Sequence, residues 1–230
     1  MHGIDQIDLI AIAWFGICAL GYHALTSIPV IRERSISAAV QRQRLAWMHG
    51  ATSRPNHAGD AILHATLSQG NAFFTSTSAL AIGGLASIVG SGQRAQAFLS
   101  DMPFAAPSSP LLWELKVLLL MGIFAFAFFK FAWAFRLTHY ATIMIGAMPN
   151  PGTVSTEAAI RQANATATIS GLAAEHSNAG LRSFYFAAAA MTWFLSPLAF
   201  IIATAWVLII LARRDFFSRS RRAILDAVGA

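Results

Sequence analysis

Apolar positions along the chain gather into four long runs, at about 7–31, 66–89, 111–135 and 184–211, with polar stretches between them. A helix of roughly 20 residues crosses a hydrocarbon layer about 30 Å thick, and each run is at least that long. Backbone groups in lipid must be paired within their own segment, and the alternation of a barrel strand is absent, so all four runs are predicted to be helices. Pro29 and Arg32-Glu33-Arg34 close the first run, and Arg213-Arg214 stop the fourth. No Lys or Arg precedes the first run, which carries Asp5 and Asp8 instead. It is also longer than the roughly 7–15 residues of a signal-peptide core, so it is expected to be a retained span.

The stretches between the runs have patterns of their own. Ile36, Ala39, Val40, Gln43 and Trp47 fall at helical spacing, with Arg34, Arg42 and Arg44 off that face. This predicts an amphipathic loop helix over about 35–49, lying at the headgroups or packed on the spans. Pro55-Asn56 breaks the chain, and Asp60 is expected to cap the helix feeding the second span. The Pro-rich segment around Asp101 predicts an extended connector over 91–110. Met148-Pro-Asn-Pro-Gly predicts a turn, and Ser155 with Glu157 predicts the start of a second loop helix over about 156–176. Ala79, Gly83 and Ser87 form a small-residue stripe that permits close helix approach, within the chain or between copies. The fold class that follows is an all-α membrane protein: one integral domain over 1–230, a four-transmembrane-helix bundle with amphipathic loop helices on one face.

Composition agrees with the pattern. The chain has 230 residues, is 56% hydrophobic and only 11% charged, and has a formal charge of +6. A soluble fold of this size lacks the polar surface to cover so much apolar area. Fourteen arginines and two lysines supply the positive charge, and they sit beside the spans. They therefore point to anionic lipid headgroups rather than nucleic acid. Cys18 is the one cysteine, which excludes an intrachain disulfide and a CxxC site and marks it as a packing residue. The first three spans place the N-terminus outside, with Arg32, Arg34, Arg42, Arg44 and Arg54 in the cytoplasm. The fourth disagrees, because Arg213, Arg214, Arg219, Arg221 and Arg222 would emerge outside.

An up-and-down arrangement gathers His23, His64, Asn71, Lys130, Arg136, His139, His176, Asn178 and Arg182 at one face. Glu114 and Lys116 mark the other. Polar groups inside a membrane are costly unless paired. The gathered set, His23, His64, Asn71, Arg136, His139, His176, Asn178 and Arg182, therefore either forms a pocket for an anion, a lipid headgroup or a metal, or fixes packing through interhelical hydrogen bonds. A bis-histidine haem would need two such rings at matching depth, His23 with His64 or His139. No H-E-x-x-H, P-loop, G-x-S-x-G or dinucleotide fingerprint occurs. No catalytic residue and no metal ligand is assigned, and no cofactor is implied.

Four strings carry a resemblance: Asn71-Ala-Phe-Phe-Thr-Ser-Thr, Glu114-Leu-Lys-Val-Leu-Leu-Leu, Phe129-Lys-Phe-Ala-Trp-Ala-Phe-Arg136 with Tyr140, and Asn178-Ala-Gly-Leu-Arg-Ser-Phe-Tyr-Phe-Ala. In order and spacing, from about Leu9 to Phe217, the chain resembles the uncharacterised membrane-protein family catalogued as domain of unknown function 599. The stretch Ser53 to Asp60 departs from that pattern. The resemblance implies a bacterial-type inner-membrane protein of about four spans and brings no activity, cofactor or catalytic residue. The leading expectation is a non-enzymatic accessory or interaction subunit that docks a protein partner or forms a homo-oligomer. The alternatives are a small transporter or channel with a polar site at one face, and a haem- or lipid-binding enzyme.

Overall fold

The computed structural model describes residues 5–91 and 109–227. Its helices are α1 (Gln6–Ser27), α2 (Pro29–Glu33), α3 (Ile36–Ala51), α4 (Ala58–Leu67), α5 (Gln69–Ser91), α6 (Pro110–Gly146), α7 (Thr156–Met191), α8 (Pro197–Phe216) and α9 (Arg219–Asp226), with a 3₁₀ turn at Thr192–Phe194. Four helical stretches are long and apolar enough to cross a bilayer: Gln6–Ser27, Ala58–Gly90, Pro110–Gly146 and Pro197–Asp226. The chain is therefore an all-helical membrane protein, as its apolar runs predict. The turn at Pro149–Gly152 is present, with Gly152 at φ +81°, and Ser155 caps α7 by accepting from the Ala158 N–H. The expected connector over 91–110 lies, except at its ends, outside the described residues.

Interlocking stripes explain why these helices pack. The buried residues of α1 are Asp8, Ala11, Phe15, Cys18 and Tyr22, a 3-4-3-4 spacing that keeps one narrow face inward. On α8 the buried set is Phe200, Thr204, Val207, Leu211 and Asp215, and the two helices lie against each other. The most extensive contact joins α6 and α7. There α7 offers a seam of small residues, among them Ala163, Ser170, Ala173, Gly180 and Ala187. Against it α6 sets larger ones, including Phe131, Leu137 and Ile145. In lipid, where apolar surface gains nothing by hiding from water, such close approach supplies much of the attraction.

The expected fourth span, 184–211, is not one rod. Its first part ends α7, and the chain reverses at residues 192–196. Pro197 has no N–H to give to a continuing helix and is suited to a first helical position. Ser196 caps the new helix, its Oγ accepting from the Ala199 N–H at 3.0 Å. Arg182 of α7 then meets Asp215 of α8 at 2.7 Å. On a continuous helix those residues would be roughly 50 Å apart. The loop helix expected to stop near residue 176 runs on to Met191, and its second half forms a fifth rod among the four apolar ones. The C-terminal arginines consequently lie beside the first loop, where the Arg221 Nε–H donates to the Arg34 carbonyl at 2.7 Å. The disagreement among the spans over sidedness disappears with this reversal.

α6 and α7 are each roughly 55 Å long, well beyond the hydrocarbon thickness. Their overhanging ends carry α3 and α4. Of the two readings of the 35–49 helix, packing on the spans prevails: Met48 and Ala51 are buried with Ile145, Met148, Ala163 and Ala167. Asp60 does not cap α4. It lies in the first turn and accepts from the Trp47 indole at 2.7 Å and from Arg54 at 3.0 Å. At the opposite end Lys116 is not a boundary marker on the surface; it is 2% exposed, beneath the rings of Trp193 and Phe194. The Ala79–Gly83–Ser87 stripe faces outward, unused within the described chain. Gly180, by contrast, is essential to the small seam. A Cβ there would come within 2.7 Å of the Phe131 ring, which is held between Phe74 and Phe184. Gly180→Ala is expected to cost about 1–3 kcal/mol through overpacking, read as a lowered melting temperature in mild detergent, whereas Gly83→Ala, with nothing within 4 Å of the added Cβ, should not lower it.

Candidate functional site

At the basic end of the bundle one carboxylate organises three helices. Asp215 is 2% exposed. It accepts from the Tyr22 hydroxyl at 2.8 Å, from the Arg182 guanidinium at 2.7 Å and from Arg214 Nε at 3.1 Å. Arg182 also donates to Thr26 Oγ1 at 3.1 Å and lies 5.3 Å from the centre of the Tyr22 ring. A second knot fastens the far end of α1, where the Trp193 indole donates to Asp8 at 2.7 Å. Asp8 and Tyr22 are fourteen positions apart on α1, roughly 21 Å.

Two cavities flank the α3–α7 contact beside the Asp215 knot. One, of about 300 Å³, is lined by His23, Arg32, Gln41, Glu175 and Arg182 among others; the second, of about 460 Å³, by His64, Asn71, Ser170, Arg214 and Asp215 among others. Ser37, Arg44, Ala174 and Asn178 line both, so only a thin partition separates them. The Asn178 amide spans it by donating to Ser37 Oγ at 3.2 Å. Gln41 crosses to α7 and donates to the Ala167 carbonyl at 2.9 Å. It fits only because Gly171 has no Cβ, which would collide with the Gln41 amide.

Charge is unbalanced here. Arg32 is paired with Glu175, while Arg182 and Arg214 share Asp215. Arg44 lines both cavities and has no carboxylate within 4.0 Å among the described residues; its one hydrogen bond is a long one to Gln41 Oε1 at 3.4 Å. Burial pulls its pKa down from the ordinary arginine value. A guanidinium nonetheless stays protonated in a protein. With Glu33 also on the wall of the first cavity, the four arginines Arg32, Arg44, Arg182 and Arg214 face three carboxylates, Glu33, Glu175 and Asp215; the sum is a hydrogen-bond-rich recess with one positive charge in excess, chemistry suited to a phosphate or carboxylate.

His64 closes one wall. The Thr142 hydroxyl gives its proton to the Thr138 carbonyl at 2.9 Å, so its oxygen accepts from His64 Nδ1–H at 3.1 Å. Nε2 is then the acceptor, and the Ser170 hydroxyl donates to it at 3.0 Å. This neutral ring joins α4, α6 and α7. The Ser170–His64 order is that of a nucleophile and its base, yet the group orienting the ring is a hydroxyl and not a carboxylate, so nothing nearby would stabilise an imidazolium. Among the described residues no three of His, Cys, Asp and Glu come together as metal ligands.

Of the eight predicted site residues, His23 and Arg182 line the first cavity, His64 and Asn71 line the second, and Asn178 lines both. His176 stands beside Trp133, its Nδ1 buried without a partner. Arg136 and His139 do not join the group. They are exposed on the outer face of α6, bonded to Tyr140 and to the Phe135 carbonyl of their own helix. Of the nine polar groups expected to converge, five line the cavities, His176 is nearby, Arg136 and His139 face outward, and Lys130 lies over the Phe126 ring of its own helix at 5.1 Å.

The sequence pattern of a family described as "Protein of unknown function, DUF599" matches residues 10–220. The chain belongs to that family. The resemblance read from its four strings is thereby borne out. No curated protein and no solved structure matches it. In this DUF599 chain the residues that the sequence reading passed over are Tyr22, Arg44, Ser170 and Asp215. A signal was present for two of them: Tyr22 and Asp215 each end an apolar stripe at helical spacing, on the face that turns inward.

Removing one partner of a buried ion pair leaves the other charge uncompensated, at a cost of about 3–5 kcal/mol. Asp215→Ala is expected to lose that much, seen as a large drop in melting temperature and in yield. Tyr22→Phe removes only a hydrogen bond to a charged group and should cost about 1.5–3 kcal/mol. Equal effects of the two changes would contradict the central position given to Asp215.

Proposed function

We propose that this protein is a non-enzymatic, multi-pass protein of a bacterial-type inner membrane that holds an anionic group at its basic face. The site is the pair of cavities between α3 and α7. The observation that carries this reading is Arg44, a part-buried guanidinium that lines both cavities and has no carboxylate within 4.0 Å among the described residues. Asn71 and Asn178 bring further donors to the same walls. The Ser170–His64 pair lacks the carboxylate that acyl-transfer chemistry would want, which favours binding over catalysis.

Passage of a solute through a single bundle is less well supported. One turn deeper than Asn71, Phe74 stacks on Phe131 at 5.0 Å, and Phe184 closes on both at 5.3 and 5.9 Å. This aromatic layer separates the basic cavities from the Asp8–Trp193 end. The basic face is assigned to the cytoplasm, with the N-terminus outside, because the arginines of the first loop and of the tail lie together there.

Two measurements test the reading. Inorganic phosphate added to the purified protein should raise its melting temperature, and Arg44→Gln should abolish that rise while leaving the unliganded melting temperature within a few degrees. An unchanged phosphate response in Arg44→Gln contradicts the site. For sidedness, a fluorescent reporter that matures only in the cytoplasm should be bright when fused to the C-terminus; a dark, intact fusion would reverse the assignment.

A further inference from the structure

The anion-holding reading leaves open where the anion comes from, and an apolar feature beside the first cavity bears on that question. α1 packs on α8 and α2 rather than on α6. Between α1 and α6 lies a groove of about 420 Å³ with walls such as Phe15, Leu119, Ile123 and Phe186. Its rim is formed by side chains that face outward from spanning helices, Leu20 being 74% and Leu118 53% exposed. In a bilayer that surface is lipid. At Gly122 a Cβ would meet nothing within 4 Å, so the groove passes over bare backbone.

One end of the groove is polar. His23, Ala179 and Arg182 line the groove and also line the first basic cavity. At this junction Arg182 Nε is buried without a hydrogen-bond partner. An apolar channel open to the bilayer thus runs into a recess with surplus positive charge, and the two meet at a guanidinium with a donor to spare. An anion from water would fill the recess and leave the groove unexplained. An amphiphile fills both.

We infer that the site takes an anionic lipid, with an acyl chain along the α1–α6 groove and its phosphate in the basic cavity at Arg182 and Arg44. This rests on the anion-holding reading above and adds the source of the anion. Charge complementarity selects the headgroup: a zwitterionic lipid brings its own cation into a recess already positive, whereas an anionic one does not. The groove confers affinity for the chain but no headgroup preference.

Native mass spectrometry of the full chain, released from detergent after incubation with equal amounts of phosphatidylglycerol and phosphatidylcholine of identical chains, tests this directly. The wild type is expected to retain phosphatidylglycerol about tenfold over phosphatidylcholine. Gly122→Phe fills the groove from a position with open space around it and should cut retained phosphatidylglycerol at least about fivefold. Leu119→Trp serves the same purpose should that variant fail to melt cooperatively. Arg44→Gln should keep a lipid but lose the preference for the anionic one. Retention of phosphatidylglycerol at the wild-type level by a folded groove-filled variant overturns the lipid proposal and leaves the anion site standing. So does a wild type that holds no lipid but still gains thermal stability from inorganic phosphate in an Arg44-dependent way. If neither lipid nor phosphate distinguishes the wild type from Arg44→Gln, the anion reading fails and this one with it.

Discussion

Burying a carboxylate at the edge of a membrane is affordable only when every lone pair has a donor and its charge is answered. Asp215 meets that condition through Tyr22, Arg182 and Arg214, and much of the architecture follows. Meeting Arg182 forces α7 and α8 to run antiparallel, and meeting Tyr22 holds α1 against them. Because α8 is turned back, the tail arginines come to rest beside the first loop instead of across the membrane. The desolvation cost of such a cluster is high, so it specifies an arrangement more than it adds net stability.

The site is a product of the same geometry. α6 and α7 outrun the hydrocarbon, and the small seam of α7 lets them approach closely where Gly180 meets Phe131. Beyond the membrane the overhang is closed by α3 and α4, whose contacts are polar: Gln41 to the Ala167 carbonyl, Asn178 to Ser37, His64 to Thr142 and Ser170. Polar side chains bridging helices at their ends pack less completely than an apolar core, and the unfilled space remains as the two cavities. Arg44 faces that space because the inner stripe of α3, with Ala39, Met48 and Ala51, is spent on α7 and its neighbours. A deeper aromatic layer then keeps the recess one-sided.

Much of this was legible in the chain. Mean hydropathy and length identified the spans, the Ser155 cap and the Pro-Asn-Pro-Gly turn announced the start of α7, and five of the eight polar residues singled out do line the cavities. The reversal was missed for a definite reason. Across residues 184–211 no side chain is charged, and hydropathy carries no information about direction. Ser196-Pro197, an N-cap followed by a first-turn proline, was the local signal of a fresh helix start, and it lay inside the run. Arg136 and His139 were misplaced because membership of a helix end does not say which side of the helix a residue occupies; on α6 the inward face there belongs to Leu137, Thr138 and Ala141. Lys116 read as a boundary charge, Asp8 only as a negative flank of the first run and Asp215 not at all, because their partners are remote in sequence, 185 residues away for the bond between Asp8 and Trp193 and 193 for that between Tyr22 and Asp215.

Fold and site both rest on the hairpin that Asp215 closes. Spin labels on Glu175→Cys and Ser220→Cys, in a Cys18→Ala background, read it as a distance by pulsed electron paramagnetic resonance. The antiparallel arrangement predicts a separation under about 30 Å. A continuous helix through residues 184–211 would place the labels roughly 65 Å apart, and a distribution centred there would contradict both the fold and the site built on it.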